Sequence, residues 1–158
     1  MNDAHTVYSA VLPTPTFALG VCCNNDEITE ITYLEPCAEI KPVSPLAKEA
    51  IRQLRAYLKD ARFEFGLPLA PAGTPFQRKV WQQIAAIPCG QTKSYGEVAH
   101  AIHSGPRAVG NACGANPYPL VVPCHRVLAA NHGLGGFARQ RGGFLLDVKK
   151  FLLRHERL

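Results

Sequence analysis

The segment from Gly73 to Asn116, "GTPFQRKVWQQIAAIPCGQTKSYGEVAHAIHSGPRAVGNACGAN", carries two helix-start signatures twenty residues apart. Thr74 is placed to cap a helix, Pro75 suits the first helical position, and Gln77 completes a capping box. Ser94 and Glu97 repeat that box. Between them, Phe76, Val80, Trp81, Ile84 and Ile87 recur at helical spacing and predict a buried stripe, which Pro88–Gly90 ends. A tight "SGP" turn then leads into "RAVGNACGAN". Two short helices joined by a brief glycine-containing turn make a helix-turn-helix candidate. Its second helix is nearly all small residues. Glycine weakens a helix, so its presence there requires a reason. Close packing against protein is one reason. Close approach to a nucleic-acid backbone or groove is the other, and Arg107 at the helix start favours it.

Outward from this segment the pattern changes. The first third reads as short strands, "HTVYSAVL", "FALGVCC" and "EITEITYL", separated by the turn signals "PTPT" and "NNDE". A helix is predicted from about Ser44 to Lys59, with Leu46, Ala50, Leu54 and Leu58 on one face. "PLAPAG" reads as a linker. The spacing predicts a last helix over about Phe144–Arg157, with Leu145, Val148, Leu152 and Leu153 inward and the lysines outward. The expected organisation is therefore two domains, residues 1–70 and 71–158.

Bulk properties narrow the function classes. The chain has 158 residues, 47% of them apolar and 18% charged, which suits a globular protein and not a disordered one. No stretch reaches the roughly 18–20 consecutive apolar residues of a membrane span, and the first ten residues lack the basic region of a secretory signal. Six cysteines without CxxC spacing read as reduced thiols of a cytoplasmic protein. Charge is unevenly divided: residues 1–74 hold 6 basic and 9 acidic side chains, residues 75–158 hold 11 and 3. A basic second half points to a polyanion, most simply nucleic acid.

"PLVVPCHRVL", Pro119–Leu128, places Cys124, His125 and Arg126 between two apolar runs. Burial makes such a trio costly unless its members satisfy one another or form a site. Taken singly, a buried cysteine is packing more often than it is a nucleophile. His100 and His103 stand one helical turn apart, but no third convergent ligand accompanies them, so no metal is expected. The remaining cysteines, Cys113 included, read as structural.

These residues give the chain its resemblance. "GTPFQRKVWQQIAAIPCGQTKSYGEVA", "RAVGNACGANP", "VVPCHRV", "GGF" and "KKFLLRHE" resemble, in order, the motifs of the methylated-DNA–protein-cysteine methyltransferases, the alkylguanine-DNA alkyltransferase family. The match covers nearly all of residues 73–158. The first 70 residues resemble the family only in layout. The resemblance implies an α+β fold: an N-terminal ribonuclease-H-like α/β domain, then a mainly helical winged helix-turn-helix catalytic domain. It implies removal of an alkyl group from O6 of guanine in double-stranded DNA, irreversibly and once per molecule, by a monomeric protein without cofactor.

By that resemblance Cys124 is the nucleophile, His125 takes its proton through a water, Glu156 orients His125, and Asn116 ties the turn together. A saturated carbon calls for a soft nucleophile, and a free thiol with a pKa of ~8.5 is mostly protonated at neutral pH, so a base is needed. The resemblance also implies that Tyr95 pushes the target nucleotide out of the stack and then hydrogen-bonds the base, while Arg107 fills its place. Ala108 and Gly110 belong to a small-residue helix in the minor groove. Arg126, the carbonyls near Cys124 and Val127, and the amide of Ala138 join the DNA- and base-binding set. "GEVAHAIHSGP" is slightly shorter than the family's pattern and "FARQRGGFLLDV" several residues longer. Phe137 stands where the family often has tyrosine. Three rivals follow from the same residues. A lesion-binding, non-transferring relative would lack the cysteine. A cysteine hydrolase built on Cys124–His125–Glu156 leaves the basic helix-turn-helix unexplained, and a plain winged-helix regulator leaves the Cys–His pair unexplained.

Overall fold

Ser44 opens the longest helix of the N-terminal part by accepting a hydrogen bond from the Ala47 N–H, with Pro45 at the first helical position. The computed structural model describes residues 7–129 and 143–157, and the chain divides into two compact units, Met1–Pro71 and Ala72–Leu158. In the first unit, β1 (Ala10–Pro13), β2 (Ala18–Cys23) and β3 (Ile28–Leu34) form an antiparallel sheet in the order β1-β2-β3. A register shift between Cys22 and Cys23 bends the β2–β3 pairing. Helix α1 (Pro45–Lys59) packs on β1 and β2. Ala50 and Leu54 of the predicted stripe are buried, joined by Ala47 and Ile51, while Leu46 and Leu58 are only half-buried.

The second unit runs α2 (Pro75–Ala85), β4 (Lys93–Ser94), α3 (Tyr95–Ala101), α4 (Pro106–Gly114), a 3-10 turn (Cys124–Arg126), β5 (Val127–Leu128) and α5 (Phe144–Glu156). Both expected capping boxes form. Thr74 Oγ1 accepts from Gln77 N at 3.1 Å and Ser94 Oγ from Glu97 N at 3.0 Å, with the reciprocal side-chain bonds present. Val80, Trp81, Ile84 and Ile87 are buried. Phe76, expected in that stripe, is instead 36% exposed. It lies in the first turn of α2, ahead of the turns that the rest of the unit covers.

Trp81 fixes α2 to α4 through its indole N–H, which donates to the Ala112 carbonyl at 2.9 Å. The same ring dictates Gly73. That residue has φ +83°, and a Cβ there would stand 2.5 Å from the indole. Helices α3 and α4 pack together next to α2. A two-residue parallel ladder pairs Lys93 with Val127 and Ser94 with Leu128. This ladder sets the first residue of α3, Tyr95, beside the turn that carries Cys124. The molecule is thus a mixed α/β protein with five α-helices and two small sheets among the described residues. No described helix is long and apolar enough to cross a membrane.

Candidate active site

The Pro119–Leu128 segment is not extended at its polar centre. Pro123 has φ −81° and ψ 66°, and Cys124 N donates to Val122 O at 2.8 Å, which is an inverse γ-turn. Cys124–Arg126 then close one 3-10 turn, with Arg126 N on Pro123 O at 2.9 Å. Side chains that would alternate sides in a strand are gathered by this turn. Leu120 just upstream adopts φ +74°, an outlier for a branched side chain that costs ~1–3 kcal/mol. Its own burial and the bond from Val122 N to Tyr118 O, 2.9 Å, hold it there.

Asn116 organises the approach to the thiol. Its Nδ2 donates to Val122 O at 2.9 Å and to Cys124 Sγ at 3.3 Å, while its Oδ1 accepts from Tyr118 N at 2.9 Å. His125 is wholly buried. Its Nε2 lies 2.7 Å from Glu156 Oε2. A carboxylate can only accept, so Nε2 carries the proton and Nδ1 presents its lone pair. Nδ1 has no protein hydrogen-bond partner among the described residues. Cys124, His125, Asn116 and Glu156, from a loop, a turn and the last turn of α5, are therefore brought together.

Arg126 differs from expectation. Its Nε and Nη2 donate to Glu156 Oε1 and Oε2 at 2.8 and 3.1 Å, and its Nη1 donates to Ile87 O at 2.6 Å. A guanidinium so engaged inside the unit clamps the carboxylate to the segment that follows α2. It supplies the counter-charge a buried carboxylate needs.

Lys149 also corrects the sequence reading. It is fully buried and not turned outward, and its Nζ donates to Val127 O at 2.9 Å and lies 5.9 Å from the centre of the Tyr95 ring. A carbonyl oxygen has two lone pairs, so Val127 O keeps one acceptor site. The available signal was positional. Leu145, Lys149, Leu152 and Glu156 share one helical face, so Lys149 and Glu156 are two polar groups on a core stripe.

Cys113 is the second residue the sequence reading left out. On α4, it neighbours Cys124 and acts to raise the pKa of that thiol. Nothing in the local sequence marks the proximity, because it joins a helix to a turn eleven residues on.

The electrostatics follow from burial. The neighbouring Cys113, then desolvation, raises the Cys124 pKa, while Asn116 and Lys149 oppose that rise. Desolvation lowers the His125 pKa against the pull of Glu156. Burial brings Lys149 down to about 8, although both neighbouring thiols act to raise it. Burial, with the two thiols, raises Tyr95 and keeps its phenol protonated. At rest the site holds a neutral thiol, a neutral imidazole and a hydrogen-bond-donating phenol.

Arg107 is exposed near the start of α4, and Ala108 and Gly110 are half-buried on the same helix. Among the described residues, a Cβ on Gly110 would meet nothing within 4 Å. Internal packing therefore does not require glycine at that position. Ala138, Phe137, Arg139 and Arg141 lie outside the described residues. Among those described, no cluster of three or more His, Cys, Asp or Glu side chains could hold a metal ion.

Residues 75–158 match the family model described as 6-O-methylguanine DNA methyltransferase, DNA binding domain. A constitutive methylated-DNA–protein-cysteine methyltransferase of Bacillus subtilis is 44% identical over 117 residues, covering 73% of this chain and 68% of the relative. The methylated-DNA–protein-cysteine methyltransferase of Methanosarcina mazei is 45% identical over 111 residues, covering 69% and 67%. Among solved structures, the Mycobacterium tuberculosis OGT in complex with DNA superimposes with a TM-score of 0.77 at 35% identity, over 93% of this chain and 91% of the other. The chain belongs to the methylated-DNA–protein-cysteine methyltransferase family.

Proposed function

We propose that this chain repairs DNA by moving the alkyl group of O6-alkylguanine onto Cys124, once per molecule. One observation carries the assignment. A buried thiol is hydrogen-bonded by Asn116 and followed in the same turn by an imidazole whose far nitrogen is held by Glu156. That is a nucleophile, a base and an orienter in one connected set. The thiol proton passes through a bridging water to Nδ1 of His125, and the resulting imidazolium is stabilised by Glu156. The Cys124 thiolate attacks the alkyl carbon in line. A carbon–sulfur bond forms, the carbon–O6 bond breaks, and its electron pair leaves with the purine. Tyr95 donates a hydrogen bond to the base as charge develops there, and Lys149 steadies the Val127 carbonyl against which the base rests. The product is a thioether, which has no leaving group that water could displace, so the protein is consumed. No cofactor enters any of these steps.

The partner is double-stranded DNA containing alkylated guanine, and the protein acts as a monomer. O6 is shielded in a base stack, so the nucleotide must be extruded, with Arg107 taking its place. The open space at Gly110 supports a helix whose bulk is limited from outside, as a minor-groove element would be. Three antiparallel strands followed by one helix support the ribonuclease-H-like description of residues 1–70. The α3–α4 pair supports the winged helix-turn-helix description of residues 71–158. Reduced thiols among the described residues suit a cytoplasmic protein. The non-transferring alternative is disfavoured because Cys124 is present with its partners in place.

The test is an intact mass after incubation with duplex DNA carrying O6-methylguanine. A single added methyl, mapped to the peptide containing Cys124, is the expected result. Unchanged mass with tight binding to the lesion would establish the non-transferring reading instead.

A further inference from the structure

Helix α4 changes its winding in its last turn, and the change falls just before the residue that touches the thiol. In an α-helix the N–H of Asn116 would donate four residues back, to the carbonyl of Ala112. It donates instead to Cys113 O, three residues back, at 3.2 Å. Ala115 N is shared between Asn111 O and Ala112 O, each at 3.2 Å, so the turn tightens towards 3-10 form. Ala112 O is also engaged from another direction. The buried indole N–H of Trp81, on α2, donates to it at 2.9 Å. A carbonyl oxygen has two lone pairs, and the indole and Ala115 N take both.

The consequence reaches Asn116. Passing from α to 3-10 winding raises the rotation per residue from about 100° to about 120°. The residue at the end of the turn is swung by that difference, and with it an amide that donates to Val122 O at 2.9 Å and to Cys124 Sγ at 3.3 Å. Hydrogen bonds of these lengths do not survive a displacement of ~1 Å. Pro117 explains a different part of the geometry. It turns Asn116 out of the helical conformation, but it does not select the carbonyl that the Asn116 N–H uses. We infer that Trp81 is a positioning residue for alkyl transfer, whose indole N–H holds Ala112 O, tightens the end of α4 and so aims the Asn116 amide at Cys124. The ring is fixed in turn by Gly73, where a Cβ would stand 2.5 Å from it. The importance of Trp81 for transfer rests on Cys124 being the alkyl acceptor, whereas its effect on the thiol does not.

The chain holds one tryptophan, so exchanging tryptophan throughout the full-length protein alters this position alone. Trp81→Phe would also open a cavity. The test therefore uses β-(3-benzothienyl)alanine, which keeps the bicyclic ring and puts sulfur in place of the N–H. 5-Fluorotryptophan, which keeps the N–H, is the conservative exchange. Two quantities are read: single-turnover transfer from duplex DNA carrying O6-methylguanine, and the pH dependence of Cys124 alkylation by iodoacetamide, located by peptide fragmentation. Transfer by the benzothienyl protein is expected to slow roughly 10–100-fold, the scale of a misplaced site group. Its alkylation profile should move to higher pH, because the thiolate loses a donor. The 5-fluorotryptophan protein should match the parent in both. In an Asn116→Ala background the benzothienyl exchange should add nothing, since both act through one amide. A merely structural tryptophan would lower the melting temperature and leave the alkylation profile in place. The inference is overturned if that profile does not move, or if the two changes multiply. Failure of the reduced parent to accept a methyl would refute the proposed function and leave the alkylation profile to decide the role of Trp81.

Discussion

Glu156 Oε2 lies 2.7 Å from His125 Nε2 and 3.1 Å from Arg126 Nη2, so one carboxylate holds two consecutive side chains of the nucleophile's turn. With Arg126 Nη1 on the Ile87 carbonyl, the last turn of α5, the Cys124–Arg126 turn and the segment after α2 are joined through a buried ionic group. Replacing Glu156 by Gln leaves the guanidinium without its counter-charge and offers the imidazole a neutral amide. Transfer in single-turnover experiments is expected to fall about 10²–10⁴-fold, the usual scale for a disabled base. Urea unfolding is expected to show a loss of ~3–5 kcal/mol, typical of breaking a buried ion pair. Undiminished transfer by a folded Glu156→Gln protein would remove the orienter role.

Arg126→Gln separates the clamp from a DNA contact. It breaks the same pair from the other side and is expected to cost a similar ~3–5 kcal/mol of stability. The salt dependence of DNA binding should not change, because no phosphate contact is lost. A slope reduced by about one counterion on a logarithmic plot would return Arg126 to the DNA interface.

The acid limb of the transfer rate should fall below the ordinary histidine value of ~6.5. Burial depresses the His125 pKa, so the neutral, proton-accepting form persists as pH falls. The same depression makes a stability statement. Its contribution is present above the unfolded value and is lost as pH falls through the folded one. Single-turnover rates between about pH 5 and 8 test the sign. A limb displaced above the ordinary value would mean that the pull of Glu156 outweighs burial.

Lys149 should make the protein steadily more stable as pH rises from about 8 towards the unfolded lysine value. In that window the unfolded chain holds a proton that the folded chain has released, which gives a positive slope of stability against pH. Cys124, raised by its surroundings, acts in the opposite direction over part of the window. The measurable quantity is therefore a difference. Lys149→Met should show a less positive slope than the parent in pH-resolved denaturant unfolding, and its transfer should slow because Val127 O loses its donor and Cys124 a neighbouring positive charge. Identical slopes would mean that Lys149 stays protonated throughout.

Gly110→Leu tests α4 as a DNA-facing surface. No described residue within 4 Å opposes a new Cβ, and removing a helical glycine favours the helix by up to ~1 kcal/mol. Stability should hold or rise while transfer from duplex DNA drops, because added bulk meets the groove. Arg107→Ala should lower transfer from duplex without changing stability by more than ~0.5 kcal/mol. If Gly110→Leu repairs duplex DNA at the parent's rate, α4 does not enter the groove.

Much of the fold was legible because its signals are local. Thr74 with Gln77 and Ser94 with Glu97 are partners three residues apart, so each capping box is complete within one turn of chain. Cys124 and His125 also stood out, since a polar pair between apolar runs contradicts its surroundings. Phe76 fails for a related reason: helical spacing identifies a face, but only neighbours in space decide how far along the helix that face is covered.

Lys149, Arg126 and Cys113 were beyond such reading, and for one physical reason. Each acquires its role from a partner distant in the chain: Val127 for Lys149, Glu156 and Ile87 for Arg126, Cys124 for Cys113. A long cation is written identically in sequence whether it is solvated or buried, because its cost is set by the acceptors that the fold brings to it. Order and type of the main elements and the two capping boxes came from residues alone, and Cys124 was singled out as candidate nucleophile by the resemblance those residues carry. The turn that gathers Cys124 with His125, and the carboxylate that holds His125 and Arg126, exist only once α5 and the Pro119–Leu128 segment pack together.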